Sequence, residues 1–244
     1  MGHGVLDKKY HVFENDSYLK LMPQLIASGL HPLSTADLMR TALEAFNSKG
    51  HTKLKEFLSQ GLIYHGTTDG LAYNGRKRKI VYDIPNVTIH ADPKVDRFGF
   101  LMIGPNQYKR LEGEEISRDR LNKPNHPAWI ALAKGDLHLW REFRDLVHIN
   151  NLPHYPYGEF EIHSTEDYPP KEPAVVPLLV SHIRDHRNRN RAEFVRDLDG
   201  SESFHAIACR LLLNDSDFTG RVRFLGKESP REESSSKKPL EQRV

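Results

Sequence analysis

Apolar residues recur at helical spacing through the first sixty positions. Leu19, Met22, Leu25 and Ile26 share one face of a segment that Asp16 or Ser17 caps and Gly29 ends. Leu38, Ala42, Leu43 and Phe46 make a second stripe. Ser34 opens it, with Asp37 three residues on in the manner of a capping box, and Gly50 stops it. Thr52 starts a third, shorter stripe of Leu54, Phe57 and Leu58, closed by Gly61. Residues 1–61 are therefore expected to form a helical N-terminal part.

After Gly61 the period shortens. Leu62-Ile63-Tyr64 is a brief apolar run before the turn-rich Gly66–Gly70. Leu71–Tyr73, Asn74-Gly75 and Lys79–Ile84 read as a hairpin, because Asn-Gly supplies the positive φ values that a two-residue turn needs. Val87–His90 and Phe98–Ile103 are further strand candidates. Helical patterning returns with Pro127 at a first helical position before Ala128–Ala133, which Gly135 ends. Asp136 then caps a helix bearing Trp140, Phe143 and Val147, and Trp129 and Trp140, each on its own helical stripe, read as core anchors.

Tyr157–His163 alternates like a strand, and the four prolines of Tyr168–Pro177 imply an extended connection. Residues 177–199 read as a polar helix. Phe204, Ile207, Ala208, Leu211 and Leu212 form another helical stripe, and Arg221–Leu225 a last strand. From Lys227 to Val244 only Leu240 and Val244 are apolar, too little burial to offset the entropy of ordering, so a disordered tail is expected. Strands and helices that come in runs predict an α+β fold: an antiparallel sheet packed with helices, one domain over residues 1–226, and a tail.

Composition narrows the class without naming it. The 244 residues are 38% hydrophobic and 28% charged, enough for one sizeable core. The single cysteine, Cys209, rules out an intrachain disulfide and reads as an inert thiol. No basic segment followed by an apolar run opens the chain, and no stretch approaches the roughly 20 apolar residues of a membrane span. A soluble protein of the cytoplasm, with no membrane partner, is the expectation. Walker, Gly-x-Gly-x-x-Gly, Gly-x-Ser-x-Gly and Cys-x-x-Cys motifs do not occur, so the common nucleotide-binding and serine-hydrolase classes gain no support, and the cofactor is left unknown.

Charge adds two local features to a net charge of only +2. Arg76, Lys77, Arg78 and Lys79 follow the hairpin turn directly, and Arg184, Arg187 and Arg191 fall on one stripe of the expected helix. A cationic hairpin tip and a basic helix both suit phosphates; solvated faces look the same in sequence. A third feature is Glu159-Phe160-Glu161-Ile162-His163, where strand alternation puts Glu159, Glu161 and His163 on one face. With His182 and His186 at i, i+4 on the following helix, these five residues form a candidate set for a divalent metal.

His65-Gly66-Thr67, after an apolar run, resembles the His-Gly-Thr or His-Gly-Ser tripeptide of ADP-ribosyltransferases. That resemblance spans three residues. It implies that His65 holds the sugar scaffold of NAD, with Tyr108 or Tyr157 as an aromatic platform and Glu161 as the glutamate that bonds the ribose. Of the three chemistries, a binding or accessory module contacting an anionic partner, nucleic acid among them, leads. A metal-dependent enzyme and an ADP-ribosyltransferase-like enzyme are the alternatives.

Overall fold

The computed structural model describes residues 2–6, 9–14, 16, 18–58, 64–85, 94–96, 100–116, 128–150, 160–164, 170–183, 203–208 and 222–228. Three helices stand where their stripes predict them: α1 Tyr18–Ala27, α2 Thr35–Asn47 and α3 Thr52–Leu58. The capping box of α2 is formed. Ser34 Oγ accepts from the Asp37 amide at 3.2 Å, and the Asp37 carboxylate accepts from the Ser34 amide at 3.3 Å. Gly29 ends α1 at φ 74°, a conformation that costs a side-chain-free residue little. Further on lie α4 Pro105–Arg110, α5 Ala128–Leu132 and α6 Leu137–Asn150, the last capped by Asp136 Oδ1 on the Leu139 amide at 2.9 Å.

The strands are β1 Gly2–Val5, β2 Tyr10–Glu14, β3 Leu30–Pro32, β4 Tyr64–Asn74, β5 Lys77–Val81, β6 Leu101–Met102 and β7 Gly113–Ile116. Four more follow: β8 Phe160–Ser164, β9 Ala174–Ile183, β10 Ser203–Ala208 and β11 Val222–Glu228. They build one sheet whose main path runs β1-β2-β11-β4-β9-β10-β8, with β3 on β11, β5 on β4, β7 on β5 and β6 on β9. The fold is α+β as expected, but the sheet is mixed: β11 with β4 and β10 with β8 are parallel pairs.

Alternation along the strands sorts the core into two layers. On one face Tyr10, Val12, Tyr73, Ile80, Val176 and Leu225 meet α2, α3, α5 and α6. On the other, Phe13, Ala72, Val81, Val175 and Phe224 meet α1 and Tyr108 of α4. Trp129 and Trp140 stack in the first layer, ring centres 5.5 Å apart and 10° from parallel.

Several expectations are corrected. Residues 1–61 are not wholly helical, because β1, β2 and β3 lie among them. β2 buries Tyr10 and Val12 on one face and Phe13 on the other, so no simple alternation marks it. Residues 174–183 form β9 where a helix was expected from 177, since Ala174, Val175, Val176 and Leu178 are all covered by helices on both sides of the sheet. Residues 203–208 form β10, held between β8 and β9, where a helical stripe was expected. Lys227 and Glu228, assigned to the tail, pair with His31 and Leu30 in the sheet. Residues 229–244 and Val87–His90 lie outside the described residues.

The stretch 66–70 is no free loop but a bulge inside β4. Gly66 pairs with Leu179 and Gly70 with Pro177, so three residues of β4 face Leu178 alone. Thr67 Oγ1 donates to the Leu178 carbonyl at 3.0 Å, the Thr68 amide donates to Leu33, and the Thr68 carbonyl accepts from Ile84. Pro177, which has no amide to donate, stands where the ladder is already interrupted.

A candidate binding cleft

The bulge carries the His-Gly-Thr tripeptide, and each residue has a packing role. His65 is buried with its ring 5.0 Å from Phe57. A methyl group on Gly66 would occupy the space of the Phe224 ring. Thr67 closes the bulge as described. His65 therefore lies in the α3 layer, whereas Tyr108 lies in the opposite layer with Val81 and Val175. The sheet stands between them, so these two do not line one NAD site. Tyr157 is outside the described residues.

Asp69, two residues beyond Thr67, is fully buried. Its Oδ2 accepts from the Thr35 amide at 2.7 Å, at the N-terminus of α2. Burial nevertheless dominates and pushes its carboxyl up to about 6, with the Thr35 hydrogen bonds opposing.

The hairpin forms with Asn74 opposite Lys77, leaving Gly75 and Arg76 as the two-residue loop. Gly75 alone of the two has positive φ, at 59°, the glycine-first arrangement of a type II′ turn rather than the type I′ that Asn-Gly suggested. The four cations then part company. Arg76 and Lys77 are exposed at the turn. Arg78 and Lys79 are interior, 3% and 9% exposed, because β5 lies between β4 and β7 and both faces are covered. Lys79 Nζ donates to the Leu111 carbonyl at 2.6 Å and sits 4.8 Å from the centre of the Tyr108 ring. Desolvation lowers its ammonium pKa against the pull of Glu115. The hairpin tip thus offers two cations to a partner where four were expected. Arg184, Arg187 and Arg191 lie outside the described residues.

The metal candidates are separated by register. Glu161 pairs with His205 of β10 and His163 with Ile207, whereas His182 of β9 pairs with Phe204. Positions 204 and 205 belong to opposite faces, so Glu161 and His163 occupy one face and His182 the other. The i, i+4 relation of His182 and His186 also lapses, since position 182 is in a strand. Glu159, His186 and Cys209 lie outside the described residues. Among the described residues no group of three or more His, Cys, Asp or Glu is disposed to hold a metal, and no helix is long and apolar enough to cross a membrane.

What the fold does assemble is a cleft of about 410 Å³ between the β1–β2–β11 edge and α3. Its floor carries Glu14 of β2 and Arg223 of β11, register partners joined at 2.6 Å from Arg223 Nε to Glu14 Oε2. The two side chains are 32% and 24% exposed. Phe57 roofs the pair, 5.6 Å from the Arg223 guanidinium, and touches His65 on its other flank. Lys53 and Glu56 of α3 stand at the rim, while Gly4, Val5 and Leu6 close one side. Two cations, two carboxylates and the apolar Val5, Leu6, Val12 and Phe57 thus share one concavity, within the roughly 300–1,000 Å³ range of small-ligand sites.

None of these lining residues was among the sequence candidates. Glu14 and Arg223 become neighbours only when β11 inserts beside β2. One local signal was available: Arg223 alternates with Leu225 on the buried face of a strand, where an arginine needs a partner. Compared with known proteins, the sequence matches no family model and no curated protein, and the fold matches no solved structure.

Proposed function

We propose that this chain is a binding protein for a small amphipathic zwitterion, of the size and character of an aromatic amino acid, held in the cleft beneath α3. The observation that carries this reading is the Arg223–Glu14 pair, half covered on the floor of the cleft with Phe57 above it. A guanidinium offers a carboxylate two parallel hydrogen bonds, and Glu14 and Glu56 suit an ammonium group. Phe57 and Val12 offer a ring an apolar bed. A simple anion would meet two carboxylates, and a simple hydrocarbon would strip water from four charges without replacing it.

Saturation-transfer NMR with phenylalanine and tyrosine as probes tests the reading. Transfer to both rings is expected with the natural chain and its loss with R223Q, while K53A weakens it. Absence of transfer, or transfer that R223Q leaves unchanged, overturns the proposal. A second reading, contact with an anionic polymer such as nucleic acid, rests on Arg76 and Lys77, which stand exposed side by side at the hairpin turn.

A further inference from the structure

On the face of the sheet away from α3, three side chains from three strands form a continuous hydrogen-bonded line. His11 Nε2 lies 3.2 Å from Glu228 Oε1, and His11 Nδ1 lies 3.2 Å from His3 Nε2. A carboxylate only accepts, so His11 carries its hydrogen on Nε2 and presents a bare Nδ1. His3 must then donate from Nε2. The two imidazoles are within 13° of parallel with centres 5.4 Å apart. That separation exceeds the N···N distance by about one ring's width, so the two nitrogens address each other along the line of centres. This is the geometry of a hydrogen bond; a chelating pair would turn both lone pairs toward a third point. Phe13 packs against His3 at 4.6 Å and fixes its ring.

We propose that Glu228, His11 and His3 are a proton-operated latch that fastens β1, and with it one wall of the cleft, to the rest of the sheet. The protons settle how it works. In the neutral pair His3 donates to His11. One added proton is accommodated: it sits on His11 Nδ1, which becomes the donor, while His3 shifts its own hydrogen to Nδ1 and accepts at Nε2. A second added proton is not. Both facing nitrogens then carry hydrogens, both rings are cations, and a 3.2 Å approach is closed to them. Imidazoles change charge between about pH 5 and pH 8, so the latch is shut above that range and open below it.

Among the described residues, Lys9, Asp16 and Lys20 near the pair have ion-pair partners of their own. Lys9, whose carbonyl accepts from the Glu228 amide, has its ammonium 3.6 Å from Glu44. Asp16 and Lys20, at the start of α1 on this face, pair with each other at 3.1 Å.

The released element is β1. It is a four-residue strand whose pairing among the described residues is with β2 alone, and Val5 on it is 64% exposed. So small an edge belongs to the least stable part of a fold. Gly4 and Val5 belong to this strand and Leu6 follows it, so acid release removes a side of the cleft. That regulatory consequence rests on the proposed cleft function; the latch itself does not.

Hydrogen exchange of the full chain without ligand tests the latch, at about pH 8.5 and about pH 4.5, either side of the imidazole range. Rates are corrected for intrinsic exchange and compared with the amides of α2. The β1–β2 amides should lose protection by about tenfold at the lower pH, the effect of one or two hydrogen bonds, while β4 keeps its protection. H11Q should show the lower protection already at the higher pH and no further change. Equal protection at both pH values in the natural chain overturns the proposal. So does an acid loss of the same size in H11Q. Because no ligand is present, this result is independent of whether aromatic amino acids bind.

Discussion

Replacing Asp69 by asparagine should stabilise the protein near neutral pH and abolish one component of its pH dependence. The carboxyl is buried in the β4 bulge, accepts one backbone hydrogen bond from Thr35 at the start of α2, and is pushed up from 3.8 to about 6 by burial. A carboxyl with a raised folded-state pKa binds its proton more tightly folded than unfolded. Its stabilising contribution is complete below about pH 4 and is lost as pH rises through about 6. A shift of about 2 units at about 1.4 kcal/mol each gives a loss of about 3 kcal/mol by neutral pH. Asparagine keeps the shape and the acceptor for the Thr35 amide without the charge. Urea unfolding of both proteins at half-unit pH steps is the assay. In the difference between them every other titration cancels, provided Asp69 is uncoupled from distant groups. Near pH 4 the two should be equally stable, and D69N should gain steadily up to about pH 6.5 and then level off. A flat difference would refute the argument that burial outweighs the helix N-terminus. A natural chain that gains on D69N as pH rises would show that the helix terminus wins.

Three further outcomes are expected. G66A should lose about 1–3 kcal/mol in denaturant unfolding, because its methyl group meets the Phe224 ring, and F224L in the same chain should recover part of the loss; a cost below about 0.5 kcal/mol would show that the ring moves aside freely. The hairpin cations should divide by position: R76A/K77A should leave stability within about 0.5 kcal/mol, whereas K79A should cost about 1–3 kcal/mol by stranding the Leu111 carbonyl. If duplex DNA is a partner, R76A/K77A should change the log–log salt slope of binding by at most about 1.8, and a larger change would mean that Lys79 or Arg78 reaches the ligand.

The helices were legible because each carries its own punctuation. Ser34 with Asp37, Asp136, Gly29 and Gly135 act within a few residues of the segments they bound, so no tertiary knowledge is needed to read them. The strands that failed to declare themselves are those buried on both faces. Ala174 to Leu178 is uniformly covered, which removes the period-two signal and leaves a run that also suits a helix. The i, i+4 spacing of His182 and His186 rests on a helix from 177, and position 182 lies in a strand. The cleft was illegible for a different reason. Glu14 and Arg223 lie near opposite ends of the chain and meet only across the β2–β11 pairing, as His11 and Glu228 of the latch do on the other face. A charge-compensated floor of this kind leaves no local pattern, whereas the run Arg76–Lys79 looks conspicuous and is half structural.

The placement of β11 between β2 and β4 has a consequence in time. Among the described residues β3 pairs with β11 alone, and β2 and β4 must hold open the gap that β11 fills. Until the residues after 222 are made, the facing edges of these two strands have unpaired amides and carbonyls, the kind of surface on which other chains add strands. Contacts of such long sequence separation also form late, since the closure of a long loop precedes any gain from them. The floor of the cleft and the latch behind it are therefore the last parts of the molecule to exist. Truncations that stop short of β11 should aggregate rather than yield a smaller folded core.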